Sequence, residues 1–387
     1  MKRYDFSFFD TPTARAKSDS VKWTRYGEDI IPLWIADMDF HSCDEIVDAL
    51  AARAKEGCFG YANDSASAIE AMIAYHKEHY GWEIDPDWVV PQPGVVTALS
   101  MFYEYVKATS YHPGVMINRP VYHHFMMSAD LLQINKTFVD LNPFAPHLPD
   151  LSKIDALPCG GWMLCNPQNP LGHAWTEEEL KTILAFSKEH NLLLASDEIH
   201  GGLVLDTPNT YRPTLTVTDS EFRDNVMAFV APSKTFNVPG LGCSFAIVPN
   251  PKIRAFFQQY YGQLIPNVNI FGWVGAEAAY RYAEPWRQGM LAYLRNNREM
   301  LYAFTSRWEL PVCKLEATYL AFIDCNRLLP ALKGESLQDF FLRYGVAIHD
   351  GEIFGSPGWI RVNIATQREL LQKAFDRMSE AIDSLAL

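Results

Sequence analysis

Short runs of apolar residues alternate with helical patterns through the middle of the chain. Five runs predict buried strands: GVMIN (114–118), GWMLC (161–165), NLLLAS (191–196), NVMAFVA (225–231) and CSFAIV (243–248). Between them, TEEELKTILAFSKEHN (176–191) predicts a helix, with Thr176 and Glu179 as a capping box at its start. Buried strands that alternate with helices predict an α/β fold, with a mainly parallel sheet covered by helices on both faces.

Helical patterns also flank this central region. DEIVDALAARAKEG (44–57) and SAIEAMIAYHKEHYG (67–81) each end in glycine, a common C-terminal stop. A long helical region follows near 265–310, and we expect a break or kink at Pro285. The remaining strands and helices predict a smaller α+β domain over 286–387, after a large domain over 46–285 and an N-terminal segment, 1–45, that joins the small domain.

Composition and charge exclude several classes of protein. The 387 residues carry a net charge of −13, which disfavours nucleic-acid binding. No apolar run is long enough for a transmembrane helix, and the charged N-terminus lacks the apolar core of a secretory signal, so we expect a cytoplasmic protein. The seven cysteines form no CxxC pair. We interpret His76 with His79, and His123 with His124, as satisfied or surface histidines and expect no metal site.

Polar residues follow the predicted strands where a core would exclude them. Asn169 follows GWMLC, Asp197 and His200 follow NLLLAS, Lys234 follows NVMAFVA, and Arg361 lies within the late strand WIRVNIA (359–365). Each residue alone has a structural explanation, such as a turn, a strand-end cap or a surface ion pair. Because ligands bind beyond the carboxyl ends of parallel strands, the set together predicts one cleft.

These residue types suit one cofactor. A buried lysine becomes a neutral amine nucleophile, an aspartate can hold a heterocyclic nitrogen protonated, and an arginine can bind a carboxylate with two hydrogen bonds. QPGVVTALSMFYEYV (92–106) predicts a helix whose free N-terminal amides can bind a phosphate. Together these are the requirements of pyridoxal 5′-phosphate (PLP).

The chain resembles fold-type I PLP-dependent enzymes of the aspartate aminotransferase superfamily, and within it the MalY/PatB-type branch of cystathionine β-lyases. The resemblance covers nearly the whole chain. It rests on segments that occur in the family's order: SVKWTRYGEDIIPLWIADMDF, FGYAND, PGVVTALS, RPVYHHF, NPQNPLG, SDEIH, APSKTFNVPGLG, EATYLAFID and IRVNIA. It implies a large PLP-binding domain and a homodimer with shared active sites.

The resemblance also implies a role for each site residue. Lys234 is the expected Schiff-base lysine, and Asp197 is the expected partner of the pyridine nitrogen. Other positions match contacts to the cofactor or the substrate: Asn169 and His200 at the phenolic oxygen, Tyr122 stacked on the ring, Gly94, Val95, Val96 and Ser233 around the phosphate, Tyr61 at the partner subunit's phosphate and near substrate, Arg361 at the substrate α-carboxylate, and Asp37 near the substrate. Many relatives carry tyrosine at the position of His200.

Two departures from the family pattern bear on the reaction. Leu171 replaces the threonine of the common NPTG, and Gly242 stands where many aminotransferases carry a phosphate-binding arginine. The glycine fits the lyase branch better. The expected reaction is β-elimination of cystathionine or cysteine-type S-substituted amino acids to pyruvate, ammonia and a thiol. An aminotransferase of aromatic or neutral amino acids is the alternative, and a PLP-binding regulatory protein is a third class.

Overall fold

The computed structural model describes residues 4–145, 148–206 and 211–385. The N-terminal part is mostly helical, and its one short strand pairs outside the main sheet. Its elements are α1 (Phe6–Asp10), α2 (Val21–Thr24), β1 (Ile31–Pro32), α3 (Asp44–Lys55) and α4 (Ala66–Tyr80). Gly81 caps α4 in the left-handed conformation, as the glycine stop at that position predicts.

A seven-stranded sheet forms the centre of the molecule, in the order β2-β8-β7-β6-β5-β3-β4. Its strands are β2 (Val89–Gln92), β3 (Gly114–Arg119), β4 (Lys136–Asp140), β5 (Cys159–Cys165), β6 (Leu193–Asp197), β7 (Val226–Val230) and β8 (Ser244–Ile247). The pairs from β4 to β7 are parallel, and β8 runs antiparallel to both of its neighbours. The prediction of a mainly parallel sheet is confirmed.

Helices cover the sheet on both faces. They are α5 (Val95–Thr109), α6 (His124–Leu131), α7 (Glu177–Glu189), α8 (Thr214–Val217), α9 (Pro232–Thr235), α10 (Pro251–Tyr260) and α11 (Ile270–Tyr282). The predicted capping box of Thr176 and Glu179 is present at the start of α7. Alternate residues of β7 enter two different cores, because Met227 and Phe229 pack on one face while Ala228 and Val230 pack on the other.

The C-terminal part follows a break at Pro285. Helix α11 ends at Tyr282, and Pro285 lies in the first turn of the next helix, which confirms the predicted interruption. The remaining elements are α12 (Glu284–Arg307), β9 (Leu320–Asp324), α13 (Leu329–Leu332), α14 (Leu337–Arg343), β10 (Val346–Ala347), β11 (His349–Asp350), β12 (Trp359–Asn363) and α15 (Arg368–Asp383).

The N-terminal segment is tied to this C-terminal part. Strand β1 pairs in parallel with β10, and Ile31 lies opposite Val346. A second small sheet has the antiparallel order β11-β12-β9. The domain limits of 1–45, 46–285 and 286–387 stay a prediction. Within the described residues, none of the helices has the length and apolar character needed to cross a membrane.

Candidate active site

A cleft of about 670 Å³ opens at the carboxyl ends of β5, β6 and β7. Its lining includes all but one of the residues that the sequence predicts for the site: Asp37, Gly94, Val95, Val96, Tyr122, Asn169, Asp197, His200, Ser233, Lys234 and Arg361. Tyr61 is the exception. The polar residues that follow separate strands in the sequence therefore meet at one edge of the sheet.

Lys234 lies in the short helix α9, directly after β7. Its Nζ donates a hydrogen bond to the carbonyl oxygen of Ala36 at 2.6 Å. Burial lowers the pKa of Lys234 to about 8, because the low-dielectric surroundings disfavour the ammonium. The carboxylates of Asp37 and Asp197 oppose this shift, while Arg361 adds to it. The amine is therefore much closer to neutral near pH 7 than a surface lysine.

Asp197 is the last residue of β6, and it is buried. Its Oδ1 accepts the backbone N–H of Ile199 at 3.1 Å. Burial raises the pKa of the Asp197 carboxyl to about 7, although that hydrogen bond and the Lys234 ammonium favour the charged form. A positive nitrogen placed beside this carboxyl would restore its charge.

Asn169 and His200 lie on the buried side of the cleft. Oδ1 of Asn169 accepts a hydrogen bond from Nη1 of Arg361 at 3.2 Å. Nδ1 of His200 is buried and has no hydrogen-bond partner among the described residues. Burial lowers the pKa of His200 to about 3, and the nearby Lys234 and Arg361 disfavour its charged form further. His200 is therefore a neutral imidazole with free hydrogen-bonding capacity.

Arg361 lies in the middle of β12 and is only 2% exposed. Its Nη2 donates to the carbonyl oxygen of Trp34 at 3.2 Å, and its Cζ lies 4.4 Å from the ring centre of Phe354. Burial lowers the pKa of Arg361 to about 10. Nε has no partner among the described residues. A buried guanidinium without a carboxylate partner is a ready binding group for an incoming carboxylate.

Helix α5 points its N-terminus into the cleft. Gly94 caps this helix, and the first intrahelical contact is the N–H of Thr97 with the carbonyl of Gly94 at 3.1 Å. The N–H groups of Val95 and Val96 precede that bond, and helix N-termini of this kind bind anions. Ser233 lines the same cleft.

The backbone conformation at position 242 favours glycine. Its φ is +64°, in the left-handed region, and a Cβ there would lie 3.3 Å from the carbonyl oxygen of Pro93. An arginine would be strained at this position. The departure from the aminotransferase pattern is thus built into the local chain geometry.

Tyr122 and Asp37 complete the cleft. Burial raises the pKa of Tyr122 to about 12, so its hydroxyl stays protonated. Asp37 pairs with Arg15, whose Nη1 donates to Oδ1 at 3.1 Å. Its backbone carbonyl accepts a hydrogen bond from Lys22 at 2.7 Å. Asp37 is therefore held in place by residues of the N-terminal segment.

Tyr61 lies outside this cleft. Its side chain is fully exposed, and it lines a separate surface pocket of about 740 Å³ together with Phe59 and Phe271. The structure does not bring Tyr61 to the other predicted site residues of the same chain. A contact with the site of a second subunit stays a prediction.

Comparison with known proteins agrees with this geometry. The chain matches the family described as aminotransferase class I and II over residues 28–378. The cystathionine β-lyase PatB of Bacillus subtilis is 33% identical, and the alignment covers 97% of this chain and 99% of PatB.

The chain belongs to the aminotransferase class I and II family.

Solved structures resemble this aminotransferase class I and II protein over nearly its full length. The crystal structure of OvoB has a TM-score of 0.90 and 35% identity, and it covers 97% of this chain and 99% of its own. The PLP-bound C–S lyase from Staphylococcus hominis has a TM-score of 0.88 and 27% identity, with 97% of each chain covered. The fold-type I architecture expected from the sequence is confirmed.

Several lining residues of this aminotransferase class I and II protein were not predicted for the site. Trp34, His349 and Arg25 reach the cleft from the N-terminal and C-terminal parts of the chain. His123 and His124 also line it, and Nδ1 of His123 is buried without a partner among the described residues. The interpretation of His123 as a satisfied or surface histidine is therefore wrong. Its position next to Tyr122 in RPVYHHF was the available signal.

Proposed function

We propose that this protein is a PLP-dependent carbon–sulfur β-lyase. It cleaves cystathionine and cysteine-type S-substituted amino acids by β-elimination to pyruvate, ammonia and a thiol. The observation that carries the proposal is the meeting of Lys234, Asp197 and Arg361 in one cleft. The lyase reaction, as distinct from transamination, is supported by the likeness to PatB and to the S. hominis C–S lyase.

Several polar groups of the cleft fit PLP. Nδ1 of His200 is buried and without a partner among the described residues, and it can bond an oxygen of the ring. The carboxyl of Asp197, with its pKa near 7, suits a protonated pyridine nitrogen. The N–H groups of Val95 and Val96, with Ser233, suit the phosphate. Tyr122 offers an aromatic face, and Lys234 offers the amine.

When bound, PLP supplies an electron sink next to the substrate Cα. Arg361 binds the substrate α-carboxylate, and Asn169 holds the guanidinium in position through its 3.2 Å hydrogen bond. The amine of Lys234, with a pKa near 8, is basic enough to accept the Cα proton. Its pKa is also low enough that the neutral amine is present near pH 7. Asp197 keeps a proton on the pyridine nitrogen.

Elimination breaks the Cα–H and Cβ–S bonds of the substrate. The electron pair of the Cα–H bond forms the Cα=Cβ double bond, and the Cβ–S pair leaves with sulfur as a thiolate. Lys234 holds the proton taken from Cα and can return it to the departing sulfur. Water hydrolyses the released unsaturated amine to pyruvate and ammonia.

The test of the reaction is incubation of the holoenzyme with cystathionine and no keto acid. We expect pyruvate and free thiol in equal amounts. If amino-group transfer occurs only after a keto acid is added, and no thiol is released, the protein is an aminotransferase and the lyase proposal fails.

We also propose a homodimer in which Tyr61 contributes to the active site of the partner subunit. Its full exposure, and its position outside the cleft of its own chain, support this proposal. The aromatic surface pocket around Phe59 and Phe271 suits burial against a second copy. The cytoplasmic location stays a prediction from the sequence.

A subunit-mixing experiment tests the role of Tyr61. Lys234→Ala and Tyr61→Phe proteins, each impaired alone, are mixed, unfolded and refolded together. If Tyr61 acts across the interface, each mixed dimer contains one intact site and activity returns. If Tyr61 acts within its own chain, mixing restores nothing. If Tyr61 has no role in the site, Tyr61→Phe alone keeps the activity of the wild type.

A further inference from the structure

The outer half of the cleft is lined by residues that have no role in the proposed reaction. Trp34, His123 and His349 form its wall, and Arg25 lies at its rim. Arg361 lines the same cleft and is buried, whereas the side chain of Arg25 is exposed. A substrate whose α-carboxylate is bound by Arg361 needs further space in this cleft for the group that leaves from Cβ.

Arg25 is a positive charge with no ion-pair partner among the described residues. Its side chain is exposed, and its Cζ lies 4.9 Å from the ring centre of Trp34 and 5.6 Å from that of Tyr26. Among the described residues, none accepts a hydrogen bond from Arg25 or forms an ion pair with it. Stacking on Trp34 restricts the position of the guanidinium while leaving its N–H groups available.

Trp34 contacts both Arg25 at the rim and the buried Arg361. Its backbone carbonyl accepts the hydrogen bond from Arg361 at 3.2 Å, and its ring lies under Arg25. Both guanidinium groups therefore contact the same tryptophan residue. A thioether amino acid with a carboxylate at each end offers one carboxylate to each guanidinium.

The other groups near the rim do not cancel the charge of Arg25. His349 lies opposite Arg361 in the β11–β12 ladder, and its ring centre is 5.4 Å from that of Trp34. Burial lowers the pKa of His349 to about 3, with Arg361, His123 and Arg25 adding to the shift, so this imidazole is neutral. The cleft carboxylate of Asp37 is already paired with Arg15.

We propose that Arg25 binds a carboxylate on the leaving group and so sets the substrate class. The enzyme then prefers S-substituted cysteines whose departing thiol carries a carboxylate, as in cystathionine, over those with a neutral thiol. This inference rests on the proposed lyase function. Arg25 acts as a specificity-determining residue and takes no part in proton transfer.

The test uses two substrates of the same shape, S-(2-carboxyethyl)-L-cysteine and its S-(2-carbamoylethyl) amide, which differ by one negative charge. Thiol release is measured for the wild-type holoenzyme and for Arg25→Gln, Arg25→Lys and Arg307→Gln. Arg307 is the matched control, because it is also exposed and stacks on a tryptophan, Trp308, at 5.2 Å, away from the cleft.

For Arg25→Gln we expect kcat/KM to fall roughly 10- to 100-fold for the carboxylate substrate, mainly through KM, and to stay within about 2-fold for the amide. For Arg25→Lys we expect a smaller fall in kcat/KM for the carboxylate substrate. For Arg307→Gln we expect kcat/KM to be unchanged for both substrates.

Equal effects of Arg25→Gln on both substrates, or no effect on either, overturn the inference while the lyase function stands. A wild type that releases thiol from neither these substrates nor cystathionine overturns the proposed function and the inference with it.

Discussion

The pKa values of two groups of buried or half-buried charges in this protein shift in opposite directions. In the cleft, Lys234, Asp197 and Arg361 have pKa values of about 8, 7 and 10, each displaced toward the neutral form. The second group, which we call the histidine cluster, consists of His173, Glu179 and Glu316. There the pKa of His173 is about 9 and those of both glutamates are about 2, each displaced toward the charged form.

Hydrogen-bond partners explain the difference, because both groups are at least partly removed from water. Burial alone would lower the pKa of His173, but both ring nitrogens donate to carboxylates, at 2.8 Å to Glu316 and 3.1 Å to Glu179, and these bonds outweigh it. Among the described residues, Lys234, Asp197 and Arg361 make hydrogen bonds only to neutral groups. The histidine cluster therefore stabilises the fold, whereas the cleft keeps its charges available for ligands.

The largest expected effect is in the cleft, from Lys234→Ala. Because this change removes both the nucleophile and the proton acceptor, we expect pyruvate release from cystathionine to fall roughly 10³- to 10⁴-fold or more. The exposed lysine variant Lys181→Ala serves as the control and keeps full activity. A Lys234→Ala protein with activity within tenfold of wild type would remove Lys234 from the mechanism.

The second-largest effect is expected from Asp197→Asn. The amide cannot hold the pyridine nitrogen protonated by its charge, so we expect activity to fall by roughly 10²- to 10³-fold with the cofactor still bound. Asp219→Asn, at an exposed carboxylate, is the matched control. Loss of less than threefold in Asp197→Asn would contradict the role of this carboxylate.

Glu316→Gln tests the structural role of the histidine cluster. It removes one charged acceptor of His173, so we expect the free energy of unfolding to fall by about 1–3 kcal/mol. Pyruvate release by the folded protein should stay within about twofold of wild type. Guanidinium unfolding and the activity assay measure the two effects. A large loss of activity without loss of stability would contradict a purely structural cluster.

The pH dependence of stability gives the smallest change per step, up to about 1 kcal/mol per pH unit, and it is specific to the ionised groups of the histidine cluster. The folded pKa of His173, about 9, lies above its ordinary value of 6.5, so its stabilisation is full below pH 6.5 and is lost as the pH rises through 9. The glutamates, with pKa values lowered from 4.5 to about 2, contribute above pH 4.5 and lose their contribution as the pH falls through 2.

The wild type is therefore compared with His173→Gln by chemical unfolding across this range. We expect the difference in unfolding free energy to be greatest between pH 4.5 and 6.5, and to shrink by up to about 1 kcal/mol per pH unit toward pH 9. A difference that stays constant from pH 6.5 to pH 9.5 would rule out a charged His173 in the folded state.

Much of the fold could be predicted because the central strands are buried on both faces. NVMAFVA and GWMLC appear as β7 and β5, and polar residues directly after such strands identified Asp197 and Lys234. The edge strands β2 and β4 were not predicted, because β2 contains a proline and a glutamine and β4 is mostly half-buried. Edge strands lack the continuous apolar signal of central ones.

The outer half of the cleft could not be predicted in this way. Arg25 and Trp34 come from an irregular segment without periodicity, and His349 reaches the site only through its pairing opposite Arg361. That pairing depends on the register of two short strands far from the central sheet. Arrangements of this kind depend on tertiary packing, which local sequence patterns do not encode.

The central claim is that the charged groups of the cleft are available to bind PLP, and that Lys234 forms the covalent bond to PLP. Borohydride reduction of the purified holoenzyme, followed by peptide mass spectrometry, tests this claim most directly. We predict a single pyridoxyl modification, on Lys234. A modification on any other lysine, or a reduced protein without a modified lysine, would contradict the account.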